Sequence, residues 1–126
     1  MRNRKNIILY GPHEECEIAA ELIRRLVMFA DSIFEFANKR EDLQKKLKEA
    51  GAKLVIVLSN GADGMEGVYA VRDCDTQQPI FWFSDDINFA MQSHRLECSY
   101  FAIKPLTEDK LFKAMQHCRW TGTKIV

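Results

Sequence analysis

The sequence predicts a single α/β domain, a parallel sheet covered by helices on both sides. Three observations carry this. Short β-branched or aromatic runs alternate with amphipathic segments five times along the chain. Two of those runs, Lys53–Leu58 and Pro79–Phe83, are almost wholly apolar, as strands buried on both faces require. Each segment between runs is long enough to cross over to a parallel neighbour, giving a (βα)5 chain. At 126 residues and 47% hydrophobic content the chain suits one compact domain, expected over 1–120 with a short C-terminal tail at 121–126.

Taken in order, the first strand is expected at Asn6–Tyr10, followed by a helix over about Glu14–Phe29. The second strand, Ser32–Ala37, leads into a helix at Lys39–Ala50. Asn38 and Glu41 have capping-box-like spacing, and Gly51 supplies a left-handed residue at its end. The third strand, Lys53–Leu58, precedes a helix at about Glu66–Asp73, with the glycine-rich Gly61–Gly67 stretch read as a turn. The fourth strand, Pro79–Phe83, precedes a helix at Ile87–Arg95. The fifth, Tyr100–Ile103, precedes a helix at Glu108–Cys118 that Thr107 should cap and whose Leu111, Ala114, Met115 and Cys118 share one face.

Eighteen basic and eighteen acidic residues cancel, so no overall field draws the protein to nucleic acid or to an anionic membrane. The apolar run Ile7–Tyr10 is too short for a signal-peptide core or a membrane span, and a cytoplasmic location is expected. The four cysteines form no Cys-x-x-Cys pair and read as reduced, mostly buried thiols.

In an open parallel sheet the working site lies beyond the carboxyl ends of the strands. That directs attention to Gly11–Glu15, Ser59–Gly64, Ser84–Asp86 and Lys104-Pro105. Three segments there resemble a bacterial response-regulator receiver domain, of the chemotaxis-regulator type. Leu54–Ser59 followed by Gly64, Met65, Glu66 and Gly67 resembles the third strand with its phospho-accepting Asp and the Gly-Met-Asp-Gly turn, and Ser59 falls at the acceptor position. Pro79–Ser84 resembles the fourth strand ending in Thr or Ser, and Phe101 to Lys104-Pro105 the fifth strand with its switch aromatic, lysine and proline. The resemblance implies a flavodoxin-like strand order of 2-1-3-4-5.

It also implies a chemistry for which residues are missing. In such domains a divalent metal is held by the acceptor and by acids ending the first strand, while Lys and Thr or Ser bind the phosphoryl oxygens. A hard cation needs oxygen ligands, and the transferred group needs cationic stabilisation. Here the acid positions fall on Gly11 and Pro12, or on Leu9 and Tyr10, and no carboxylate stands there. Ser59 is neutral, so the chain reads as a degenerate pseudo-receiver in which magnesium is not expected. Ser84, Lys104 and Pro105 occupy retained phosphate-pocket positions. Two readings of Lys104 stay open: an anion-friendly corner, or a lysine that caps strand ends or hydrogen-bonds Ser59. Glu14, Glu15, Asp63, Glu66, Asp85 and Asp86 are acids of the kind helix starts attract.

Rival chemistries fit less well. Cys16 with Arg24 lacks the spacing of a phosphatase loop, and His94 with Cys98 or His117 with Cys118 matches no zinc knuckle. No metal site is expected. The expected function is therefore that of a stand-alone, non-enzymatic receiver-like module that binds another protein in two-component, phosphorelay-type signalling without being phosphorylated. A homodimer through the fourth helix, fifth strand and fifth helix is one form of that contact, with Met91, Arg95, Phe101, Lys110 and Lys113 on the face. The alternative is a small enzyme or phosphate-handling protein of flavodoxin-like fold that uses the loops after the first and third strands, for which His13 beside Ser59 is the available pairing of nucleophile and base.

Overall fold

The computed structural model describes residues 6–26 and 31–117. Its elements are β1 (Asn6–Tyr10), α1 (His13–Arg24), β2 (Ile33–Ala37), α2 (Arg40–Ala50), β3 (Leu54–Val57), α3 (Gly61–Cys74), β4 (Ile80–Ser84), α4 (Ala90–Arg95), β5 (Tyr100–Ile103) and α5 (Glu108–His117). A 3-10 turn, Ile87–Phe89, leads into α4. The five strands pair in parallel in the order β2-β1-β3-β4-β5, the doubly wound topology expected from the sequence. Among the described residues no helix is long and apolar enough to cross a membrane.

Strand alternation divides the core into two layers. Ile7, Leu9, Leu54, Ile56, Phe81 and Phe83 point to one side of the sheet, where α1 and α5 cover them with Ala19, Ile23, Leu111 and Met115. Ile8, Tyr10, Val55, Val57, Ile80 and Trp82 point to the other, against Leu43 and Leu47 of α2 and Val68 and Val71 of α3. The central strands are thus buried on both faces, which is why they read as continuous apolar runs.

Helix ends depart from expectation for identifiable reasons. The largest difference is α3, which begins at Gly61 rather than Glu66, so the stretch read as a turn is the helix's first two turns. Close approach explains Gly64 and Gly67. A Cβ on Gly64 would lie 2.5 Å from the Ser59 carbonyl oxygen, and one on Gly67 would lie 2.5 Å from the Tyr10 ring. The small residues let α3 settle directly on the strand ends. α2 begins at Arg40 with Lys39 in the cap position and no side-chain cap bond, so Asn38 lies one residue too early to close the expected box. Gly51 does take a left-handed φ of 74° and donates its N–H to the Leu47 carbonyl. α1 ends at Arg24, short of the expected Phe29, which lies outside the described residues, as does Cys118. Thr107 accepts a hydrogen bond from the Lys110 N–H at 3.1 Å, the cap expected for α5.

Candidate functional site

At the carboxyl edge of the sheet the chain leaves β1, β3, β4 and β5 through Gly11, Ser59, Ser84 and Lys104. Backbone bonds hold these exits together: the Leu58 N–H donates to Tyr10, Gly11 to Ala37 and Lys104 to Ser84, at 2.7, 2.9 and 2.9 Å. Leu9 and Tyr10 are buried in opposite core layers, so the pair at the strand exit is Gly11-Pro12. Gly11 lies against the third strand's exit at a φ of 152°, which L side chains rarely adopt. A Cβ there would stand 3.0 Å from the Ser59 nitrogen and 3.1 Å from Leu58. The backbone at this position is therefore built around the absence of a side chain. Ser59 itself is 8% exposed.

Lys104 is paired within the chain. Its ammonium donates to Glu15 Oε1 at 2.5 Å and to Asn60 Oδ1 at 2.6 Å, and it is only 17% exposed. A largely buried ammonium requires a counter-charge, and Glu15 provides it from the first turn of α1. The structure shows no hydrogen bond from Lys104 to Ser59. The Lys104-Pro105 peptide is cis.

The other polar groups at this edge are already engaged. Ser84 is fully buried, and its Oγ accepts from the Asp86 N–H at 3.1 Å. Asp85 Oδ1 accepts from the Gly61 N–H at 3.0 Å and so caps α3, and Asp86 accepts from the Asn88 N–H at 2.9 Å. Among the described residues no group of three His, Cys, Asp or Glu side chains is placed to hold a metal ion.

His13 turns away from Ser59. Its Nε2 pairs with Glu17 Oε2 at 3.1 Å, and its ring meets Phe36 edge-on at 5.3 Å, on the β2 side of the edge. Cys16 is buried and donates its thiol to the Gly11 carbonyl at 3.6 Å. Burial, reinforced by Glu15 and opposed by Lys104, pushes that thiol up to about 12. Burial likewise raises Cys98 to about 12 against the pull of Arg72. Both are held as neutral thiols, the opposite of an activated nucleophile.

On the face formed by α4, β5 and α5, Met91 is 69% exposed and Arg95 is exposed. Phe101 is half-buried and meets Trp82 edge-on at 5.4 Å, with Phe89 tilted against the same indole at 5.6 Å. Ile87, which the sequence reading passed over, is 62% exposed four residues before Met91. Lys110 is not a free surface charge: its ammonium folds back onto the carbonyls of Ile103 and Pro105 and ties the end of β5 to α5. Lys113 pairs with Asp109 at 3.4 Å one helical turn away.

No protein-family model and no curated protein matches the sequence. Solved structures match in fold. A CheY-like response regulator from Mesorhizobium loti aligns at 22% identity and a TM-score of 0.64, over 91% of this chain and 99% of that one. The signal receiver domain of an HD-domain-containing protein from Pseudomonas fluorescens Pf-5 aligns at 15% and 0.74, over 94% and 97%. A protein described as the CpaE2 pilus assembly protein of Sinorhizobium meliloti 1021 aligns at 18% and 0.67, over 90% and 98%. The chain has the fold of response-regulator receiver domains across nearly its whole length.

Proposed function

We propose that this protein is a receiver-fold module that works by binding another protein in bacterial two-component-type signalling, without phosphorylation and without catalysis. The observation that carries the reading is the pairing of Ser59 with Gly11. Ser59 offers a neutral hydroxyl where an acceptor carboxylate would stand, and Gly11, where a metal-binding acid would stand, has a φ that L side chains rarely adopt and neighbours that would have to shift to admit a Cβ. The loss is built into the strand exit and is more than one substitution deep. The neighbouring acids Asp85 and Asp86 are spent on helix and turn starts, which leaves a hard cation without a set of oxygen ligands.

The exposed Ile87 and Met91 at α4, with the exposed Arg95, support the binding half of the proposal, because large apolar side chains left in solvent favour contact with a partner. A cytoplasmic setting is part of the same proposal, consistent with cysteines held as thiols. The enzymatic alternative finds no support in the position of His13, which is committed to Glu17 and Phe36.

The test is a titration with magnesium and acetyl phosphate or beryllofluoride, followed by amide NMR shifts. No saturable change is expected at Ser59, Ser84 or Lys104. Tight metal-dependent shifts centred on Ser59 would sink the proposal. For the binding half, Met91→Lys should leave stability within about 0.5 kcal/mol, as surface changes do. It should weaken capture of a stoichiometric protein partner, and equal capture by the variant counts against this face.

A further inference from the structure

Beside the strand exits, between α1 and the turn that follows β5, lies a cavity of about 440 Å³. This is within the range of roughly 300–1,000 Å³ typical of small-molecule sites. Its walls are Ile18, Leu58, Pro105 and Leu106, and among the described residues its charged lining groups are Lys104 and Glu15. It is therefore an apolar chamber with a single ion pair at its rim.

The two halves of that ion pair are not equivalent. Lys104 is 17% exposed and is also held by Asn60, whereas Glu15 is 39% exposed. A displaced Glu15 carboxylate can turn into water, but a stripped Lys104 ammonium cannot, so the pair opens on the acid side. What replaces Glu15 must then carry a negative charge, and what fills the chamber behind it must be apolar. We propose that this cavity binds a small amphipathic carboxylate, its acid group on Lys104 in place of Glu15 and its hydrocarbon body against Ile18, Leu58 and Leu106. Glu15 serves as the resident stopper of the site. The inference rests on the cavity and its rim and is independent of the protein-binding role proposed for the α4–β5–α5 face.

The probe is a series of sodium butyrate, hexanoate and octanoate, titrated into the whole chain and read by amide NMR shifts. Saturable shifts are expected at Ile18, Leu58 and Leu106. Each step of two methylenes should strengthen binding roughly tenfold until the chamber is full. Glu15→Gln should tighten hexanoate binding severalfold by removing the competitor. Lys104→Met should weaken hexanoate at least tenfold while leaving 1-hexanol at its wild-type affinity, a control showing that the variant still folds and keeps its chamber. Ile18→Asp, at an exposed rim position, should weaken hexanoate without loss of fold. The proposal is overturned by the absence of saturable shifts at these residues below the concentrations at which micelles form. Affinity that ignores chain length, or that Glu15→Gln leaves unchanged or lowers, overturns it equally.

Discussion

Arg72 offers the sharpest quantitative test of how this chain holds its proposed binding face. From the last turn of α3 its guanidinium donates to four carbonyls: Leu96 at 2.8 Å, Gln78 at 2.9 Å, and Asp75 and Glu97 at 3.0 Å each. These belong to the turn entering β4 and the turn entering β5, so one side chain pins both. The second turn needs the help, because Glu97 sits at a φ of 58°, unfavourable for a residue with a Cβ. In Arg72→Ala the carbonyls of Asp75 and Glu97, whose bonds are exposed, regain water. The bonds to Leu96 and Gln78 are part-buried and charge-assisted, and at about 1.5 kcal/mol each their loss amounts to about 3 kcal/mol. For a domain of this length that lowers Tm by roughly 10 °C. Lysine, a point charge without the planar fork, should recover about half. Urea and thermal unfolding followed by circular dichroism give the numbers, and amide exchange gives the location. The Cys98 and Ser99 N–H groups, bonded to Ser93 and Ile80 at 3.0 and 2.8 Å, should lose protection before the central strands do. A loss below about 1 kcal/mol, or a lysine variant as stable as the native protein, would refute the reasoning.

Other expectations follow from the same packing and chemistry. Gly67→Ala drives a methyl group into the Tyr10 ring and should destabilise by about 1–3 kcal/mol; Tyr10→Phe, which keeps the ring carbons, should not rescue it in urea melts, whereas Tyr10→Leu should. Ser59→Asp alone should remain unresponsive to magnesium with acetyl phosphate, since Gly11 still lacks a side chain; phosphorylation detected by intact-protein mass spectrometry would contradict this. The thiols of Cys16 and Cys98 ionise near 9 in the unfolded chain but only near 12 when folded, so their contribution is intact below pH 9 and is lost as pH rises towards 12. The slope is at most about 1.4 kcal/mol per pH unit for each thiol, and replacing both with alanine should flatten the stability profile measured between pH 9 and 11.

The fold was legible because its signal is repeated. Ile7 to Leu9, Leu54 to Val57 and Ile80 to Phe83 each carry the apolar run of a strand buried on both faces, and the crossover lengths leave parallel pairing as the natural outcome. Where a single residue decides, the sequence is weaker. Gly61 to Gly67 is as compatible with a turn as with a helix, and the close seating of Gly64 on the Ser59 carbonyl and of Gly67 on the Tyr10 ring appears only in the fold. Glu15 reads as an ordinary first-turn acid, and only the fold reveals that it reaches Lys104, 89 residues away. The reach of Lys110 back to Ile103 was hidden for the opposite reason, since a lysine at that helix position usually extends into solvent. No periodicity encodes Arg72, whose partners are all backbone carbonyls and therefore leave no trace in side-chain identity.

The Glu15–Lys104 pair is the central electrostatic contact at this corner. A lysine that emerges from β5 into a nearly closed corner is costly unless an anion stands within hydrogen-bond reach. Ser59, Gly11 and Pro12 at the exits of β3 and β1 carry no charge, and Asp85 beyond β4 is bonded to the Gly61 N–H. The nearest backbone that welcomes negative charge is the start of α1, where the helix dipole already favours Glu14 and Glu15. Glu15 is the one of this pair that reaches Lys104, and Asn60 completes the contact from the β3 exit. The counter-charge stands on a helix, where it holds α1 against the end of β5. A corner arranged this way joins two elements and borders a cavity. The lysine thereby connects β5, α1 and the β3 exit.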